Sequence, residues 1–116
     1  MITVYGIPNC DTVKKARVWL ADNGLEFTFH DFRKDGLEKA TLDRWLAELG
    51  RDVLINRRGT TWRKLSEGEK QVDSDADAAA LLLANPAMIK RPVIDLGGRR
   101  LVGFTDETRE AVLAAQ

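Results

Sequence analysis

The sequence predicts one α/β domain: β-α-β, a helical insertion, a β-hairpin and a closing helix, on a mixed four-stranded sheet. Three observations carry this. An apolar strand at Ile2–Tyr5 passes through Gly6, Pro8 and Asn9 into an amphipathic helix. The glycine pair Gly97-Gly98 separates two short apolar runs, as in a tight hairpin. Between these ends lie helical patterns rather than strands. At 116 residues the chain can bury a real core but is too short for two domains, so residues 1–116 are read as one.

The elements follow in order. Asp11–Asn23 is a helix with Val13, Ala16 and Leu20 on one stripe and Lys14, Lys15 and Arg17 mostly elsewhere, stopped by Asn23-Gly24. In the next strand Phe27, Phe29 and Asp31 share one side and alternate with Thr28 and His30. Leu42, Trp45, Leu46 and Leu49 fall at i, i+3, i+4 and i+7, so a helix runs from Leu37 or Glu38 to Leu49 before Gly50. Val53–Ile55 is a short apolar piece, Arg57-Arg58-Gly59 a basic loop, and Thr60 or Thr61 opens a short helix through Leu65. Ser74 caps a helix with Asp75 and Asp77 in its first turn. Ala76–Ala84 is apolar almost all round, which predicts cover on several sides, and Asn85-Pro86 ends it. Val93–Leu96 and Arg100–Phe104 form the hairpin, and Thr105 caps a last helix to Ala114. The insertion spans about residues 37–85. A β-α-β opening makes the first two strands parallel, and the hairpin adds antiparallel ones. The simplest closure is a thioredoxin-like sheet.

Composition excludes several function classes. Lysine and arginine total 18, as do aspartate and glutamate, so no overall field draws the chain onto nucleic acid. No apolar run approaches membrane-spanning length, and the N-terminus lacks a signal pattern. A single cysteine forms no internal disulfide. The expectation is a cytoplasmic monomer without nucleic-acid or membrane partners.

That cysteine, Cys10, stands where the first strand gives way to the helix. N–H groups of the first turn, near Asp11 and Thr12, carry partial positive charge that favours a thiolate, the nucleophilic form. A lone cysteine can equally be a small buried hydrophobe, but the turn before it and the helix behind it favour chemistry. His30, the only histidine, lies opposite Phe27 and Phe29 and reads as a surface residue; with one cysteine it makes no metal site. Trp19, Trp45 and Trp62 read as packing. Asp73, Asp75 and Asp77 lack the glycine and closing glutamate of a calcium loop and read as helix initiation.

Three separated pieces carry a resemblance: Tyr5-Gly6-Ile7-Pro8-Asn9-Cys10-Asp11-Thr12-Val13-Lys14-Lys15-Ala16; Leu54-Ile55-Asn56-Arg57-Arg58-Gly59; and Asn85-Pro86 with Ile89-Lys90-Arg91-Pro92-Val93-Ile94. Together, over nearly the whole chain, they resemble the arsenate reductase (ArsC)/Spx/YffB family of thioredoxin-like proteins. The first piece is similar to the YffB branch, whose members are proposed to be glutathione-dependent thiol reductases. The resemblance implies that Cys10 and Arg91 are catalytic, and that Arg57, Asn9, Asp11, Thr12 and Pro92 serve substrate or glutathione binding. It implies that Arg57 and Arg91 turn toward Cys10, that Arg58 points away, and that the Arg91-Pro92 bond is cis. It implies no bound cofactor, glutathione as co-substrate, a small thiol or oxyanion substrate, and glutaredoxin as a candidate partner. Three positions depart from the pattern. Gly6 stands where the arsenate reductase branch has histidine, Gly103 stands where it has a third arginine unless Arg99 or Arg100 substitutes, and Val13 replaces the second cysteine of most Spx-type regulators.

Magnitudes indicate what such a site is for. Lowering a thiol's pKa from about 8.5 to about 6.5 raises its thiolate fraction at pH 7 some twentyfold, while nucleophilicity falls roughly eightfold. The net gain is about threefold, so the larger benefit of nearby guanidiniums is bidentate anion binding. The expected function is therefore a glutathione-dependent thiol reductase working through a mixed disulfide on Cys10. The alternatives are arsenate reduction coupled to glutathione and glutaredoxin, and an Spx-like regulator that binds RNA polymerase.

Overall fold

The computed structural model describes every residue from Met1 to Gln116, in two compact units: Met1–Gly36 with Arg91–Gln116, and Leu37–Lys90. The first unit holds strand β1 (Ile2–Gly6), helix α1 (Asp11–Asp22) and strand β2 (Phe27–Asp31). The second holds helix α2 (Lys39–Leu49), helical turns α3 (Arg51–Leu54) and α4 (Thr60–Arg63), helix α5 (Asp75–Ala84) and a 3₁₀ turn, Pro86–Met88. Strands β3 (Val93–Asp95) and β4 (Arg100–Val102) and helix α6 (Asp106–Ala114) return to the first unit.

The sheet is mixed and four-stranded, in the order β2-β1-β3-β4. β1 pairs parallel to β2 and antiparallel to β3, and β3 pairs antiparallel to β4. Register places Phe29, Val4, Ile94 and Leu101 in one row across all four strands. Because side chains alternate along a strand, this row presents one apolar face. Ile2 of β1, Leu20 of α1 and Val112 of α6 close over it, with Trp19 and Phe27 at the edge. The α1 stripe is buried as its spacing requires, through Val13, Ala16 and Leu20.

In the hairpin, the Leu96 N–H reaches the Arg99 carbonyl at 2.8 Å, enclosing Gly97 and Gly98. Gly97 alone of the pair has positive φ (97°), the pattern of a type II′ turn. β4 stops at Val102 rather than Phe104. Gly103 turns to φ 86° and gives its N–H to the Pro92 carbonyl at 2.8 Å, so the ladder ends there. Thr105 caps α6 reciprocally: the Thr108 N–H reaches its Oγ1 at 3.3 Å and its own N–H reaches Thr108 Oγ1 at 2.7 Å.

In the Leu37–Lys90 unit, α2 and α5 pack together and bury Leu42, Trp45, Leu46, Ala78, Ala79 and Leu82. The apolar piece Val53–Ile55 is divided: Arg51–Leu54 makes a helical turn that leaves Val53 exposed, and Ile55 pairs in an antiparallel bridge with Ile89. One expectation changes here. α5 is covered on one side, not several, since Ala76, Ala80 and Ala84 face water at little cost. Its start is built by the aspartates. The Asp77 N–H bonds Ser74 Oγ at 3.1 Å, Asp77 Oδ2 accepts the Asp73 N–H at 3.2 Å, and Asp75 pairs with Arg51 at 3.2 Å.

His30 is not a plain surface residue. It is half-buried against Tyr5, with ring centroids 4.8 Å apart, and Nε2 lies 2.6 Å from the Gly36 carbonyl. No helix is long and apolar enough to cross a membrane.

Candidate active site

The chain leaves β1 at Gly6 and turns through Ile7, Pro8 and Asn9, where the Cys10 N–H reaches back to the Ile7 carbonyl at 3.4 Å. Cys10 keeps extended angles (φ −98°, ψ 124°) while its carbonyl accepts the Lys14 N–H at 2.9 Å, so it is the N-cap of α1. An N-cap side chain is positioned to accept from the second and third helical N–H groups. Here those belong to Thr12 and Val13. As a thiol the half-buried Cys10 closes no cap bond, but the same amides favour its anion.

Partial burial pushes the Cys10 thiol up. The Val13 N–H, the hydrogen bond and charge of the Arg91 guanidinium, and the Thr12 N–H more than offset it, holding the thiol below its ordinary value. Arg91 is half-buried immediately before β3, followed by buried Pro92, and the peptide between them is cis. The candidates Cys10, Arg91 and Thr12 thus meet at one sulfur. Thr12 acts through its backbone, and its side chain is exposed, as are those of Asn9 and Asp11.

The amides facing the sulfur differ from the expected pair: they are those of Val13 and Thr12, not those of Asp11 and Thr12. Asp11 is the first helical residue, and its N–H lies before the positions an N-cap side chain reaches. The Val13 side chain reads as core, and its role at the sulfur lies in its backbone, three residues past the Cys10 cap. Gly6 has a matching role. A Cβ built on it would lie 2.7 Å from Val13 Cγ2, so β1 and the start of α1 approach as closely as they do only with glycine there.

Arg57 belongs to the Leu37–Lys90 unit. It is exposed, pairs with Asp52 at 3.2 Å and lies over the Trp62 ring, 5.3 Å from its centroid. Trp62 is therefore a platform for a cation as well as packing. Arg100 is engaged within the hairpin, by Asp95 at 3.4 Å and the Gly97 carbonyl at 3.4 Å.

Three relatives match nearly the whole of this chain. The solved structure of the YFFB protein superposes with a TM-score of 0.92 at 48% identity, over 97% of this chain and 99% of that one. The solution structure of an arsenate reductase (ArsC) related protein from Brucella melitensis gives 0.78 at 50% identity, over 97% and 93% of the two chains. A global transcriptional regulator Spx of Streptococcus pyogenes is 28% identical over 116 residues, 98% of this chain and 86% of the regulator. The sequence pattern of the ArsC family itself matches residues 5–112, from the end of β1 into α6. The cysteine-capped helix and the Arg-Pro corner both fall within that match, and the chain belongs to the ArsC family.

Proposed function

We propose that the protein is a cytoplasmic glutathione-dependent thiol–disulfide reductase whose only protein thiol is Cys10. The Cys10 thiolate attacks the glutathione sulfur of a glutathionylated substrate, forming Cys10–S–S–glutathione and releasing the substrate as a thiolate. A second glutathione thiolate attacks the glutathione sulfur of that adduct, yielding oxidised glutathione and restoring Cys10. Across the two steps, the substrate's mixed disulfide and one free glutathione thiolate become the substrate thiolate and oxidised glutathione. The chain has no second cysteine, so the resolving thiol comes from solution.

The observation that carries this reading is the sulfur of Cys10 held below its ordinary pKa by two amides and Arg91. A lowered thiol pKa also makes the sulfur a better leaving group in the second step. Arg91 supplies a planar fork for carboxylates of the adduct. Exposure to oxidised glutathione should add one glutathione mass to Cys10, removable by excess reduced glutathione and absent in Cys10→Ser. A native Cys10 that stays unmodified, yet reacts after unfolding, overturns the reading.

The kinship with an arsenate reductase related protein makes arsenate the second candidate substrate. Position 6 weighs against it, because the crowding by Val13 admits no side chain there without movement. Arsenate turnover with glutathione and glutaredoxin, lost in Cys10→Ser, would establish it. Co-purification with RNA polymerase that survives Cys10→Ser would instead favour the role suggested by the Spx relative.

A further inference from the structure

Gly103 is where the chain leaves the sheet for α6. Of the glycines with positive φ, Gly24, Gly36, Gly50 and Gly97 lie at exposed or half-exposed turns, whereas Gly103, at φ 86°, is buried. The register that pairs Val93 with Val102 sets Gly103 opposite Pro92, and its N–H meets the Pro92 carbonyl at 2.8 Å. Proline has no N–H, so that carbonyl is the only backbone hydrogen-bonding group Pro92 possesses. The far side of Gly103 is tied as well. The Phe104 ring meets Trp19 of α1 edge-on, with centroids 5.8 Å apart, and lies 4.8 Å from the Arg109 guanidinium carbon. Thr105 then enters the reciprocal cap of α6.

Pro92 directly follows Arg91, whose guanidinium hydrogen-bonds the Cys10 sulfur. A long side chain stays on its target only while the backbone beneath it is held. What position 103 demands is a backbone conformation, not space. A Cβ there would meet no heavy atom within 4 Å, its chain neighbours aside. A residue with a side chain resists this φ, and relaxing toward negative φ would swing the N–H off the Pro92 carbonyl. Gly6 is the reverse case, where the obstacle is the Val13 methyl.

We propose that Gly103 is a positioning residue for Arg91: its left-handed backbone aims one N–H at the Pro92 carbonyl, and that bond holds the guanidinium on the Cys10 sulfur. The role requires no glutathione. It rests on the contact between Arg91 and Cys10, which the thiol-reductase reading shares.

The test is the pH midpoint of Cys10 alkylation by iodoacetamide in full-length Gly103→Ala, Gly103→Asn and Thr105→Ala, each made with Arg91 and with Arg91→Ala. Gly103→Ala should raise the midpoint. Gly103→Asn, although the larger change, should raise it less, because asparagine tolerates left-handed φ. Thr105→Ala weakens the adjoining cap without touching the Pro92 bond and should leave the midpoint in place. With Arg91→Ala already present, neither Gly103 substitution should add a further rise. Should Gly103→Ala fail to fold, the rise in Gly103→Asn and its disappearance on the Arg91→Ala background decide the matter.

An unmoved midpoint in the Gly103 variants overturns the proposal, as does a rise that persists without Arg91. A larger rise for asparagine than for alanine overturns it too, by making side-chain size the cause. A matching rise in Thr105→Ala would reduce the effect to general loosening. The two readings fail separately. A glutathionylated Cys10 whose midpoint ignores position 103 defeats only this proposal. A midpoint that follows Gly103 and Arg91 in a protein that oxidised glutathione leaves unmodified defeats only the reductase.

Discussion

Gly6 and Val13 meet with no room for another atom: a Cβ on Gly6 would come within 2.7 Å of a Val13 methyl. Val13 is fully buried and its β-branched side chain has few rotamers to retreat into. Its amide is also the foremost group stabilising the Cys10 thiolate. Core packing and site chemistry therefore share one residue. Gly6→Ala should cost about 1–3 kcal/mol in urea denaturation, as overpacking does. It should also raise the pH midpoint of Cys10 alkylation by moving the Val13 amide. Val13→Ala on that background removes the opposing methyl and should bring the midpoint back toward wild type. A stable Gly6→Ala with an unmoved midpoint would show that the spacing does not govern the amide.

Arg91 contributes both a hydrogen bond and a charge to the sulfur. In Arg91→Ala the alkylation midpoint should rise. The rate at pH 7 should fall only about two- to threefold, because a less acidic thiolate is more nucleophilic. Formation of the mixed disulfide with anionic oxidised glutathione should fall further, about tenfold, through loss of charge-assisted hydrogen bonds. Arg91→Lys should keep more of the midpoint than of the glutathione reaction, since the charge remains and the fork does not. Equal losses in both assays would contradict this division.

A thiol whose pKa is lower folded than unfolded binds fewer protons in the native state. Its stabilisation is complete above the unfolded value, about 8.5, and is lost as pH falls through the folded one. The stability of wild type minus that of Cys10→Ser should thus rise with pH across this window and level off above it. Chemical denaturation at a series of pH values measures this. A difference that is flat, or falls with pH, contradicts the assignment.

The cap of α6 gives a prediction free of the site. Thr105→Ala removes the side chain that accepts the Thr108 N–H and should cost about 1 kcal/mol, read from the denaturation midpoint. Ser74→Ala at α5 should cost a similar amount through the lost Asp77 bond.

These caps also show what a sequence discloses. Ser74, Thr105, the Asn23-Gly24 stop and the Gly97-Gly98 turn act through local chemistry, and each marks its boundary correctly. The stripe Val13, Ala16 and Leu20 is legible because helical period alone selects the buried face. What stayed hidden depends on partners remote in the chain. The apolar run Val53–Ile55 does not disclose that Val53 sits exposed on a helical turn while Ile55 pairs with Ile89. Alanines in α5 look like core because their apolarity carries no information about which side meets a neighbour. At the site, Cys10 and Arg91 stand out by residue type, whereas the Val13 amide contributes through backbone that any residue possesses.

The pH dependence of Cys10 alkylation in the folded protein most directly tests the claim that this sulfur is held as an anion. A midpoint below that of the same cysteine in unfolded chain, moving upward in Arg91→Ala, is the result expected. A folded midpoint equal to or above the unfolded one would mean that burial outweighs the amides and the guanidinium, and the reductase account would not stand.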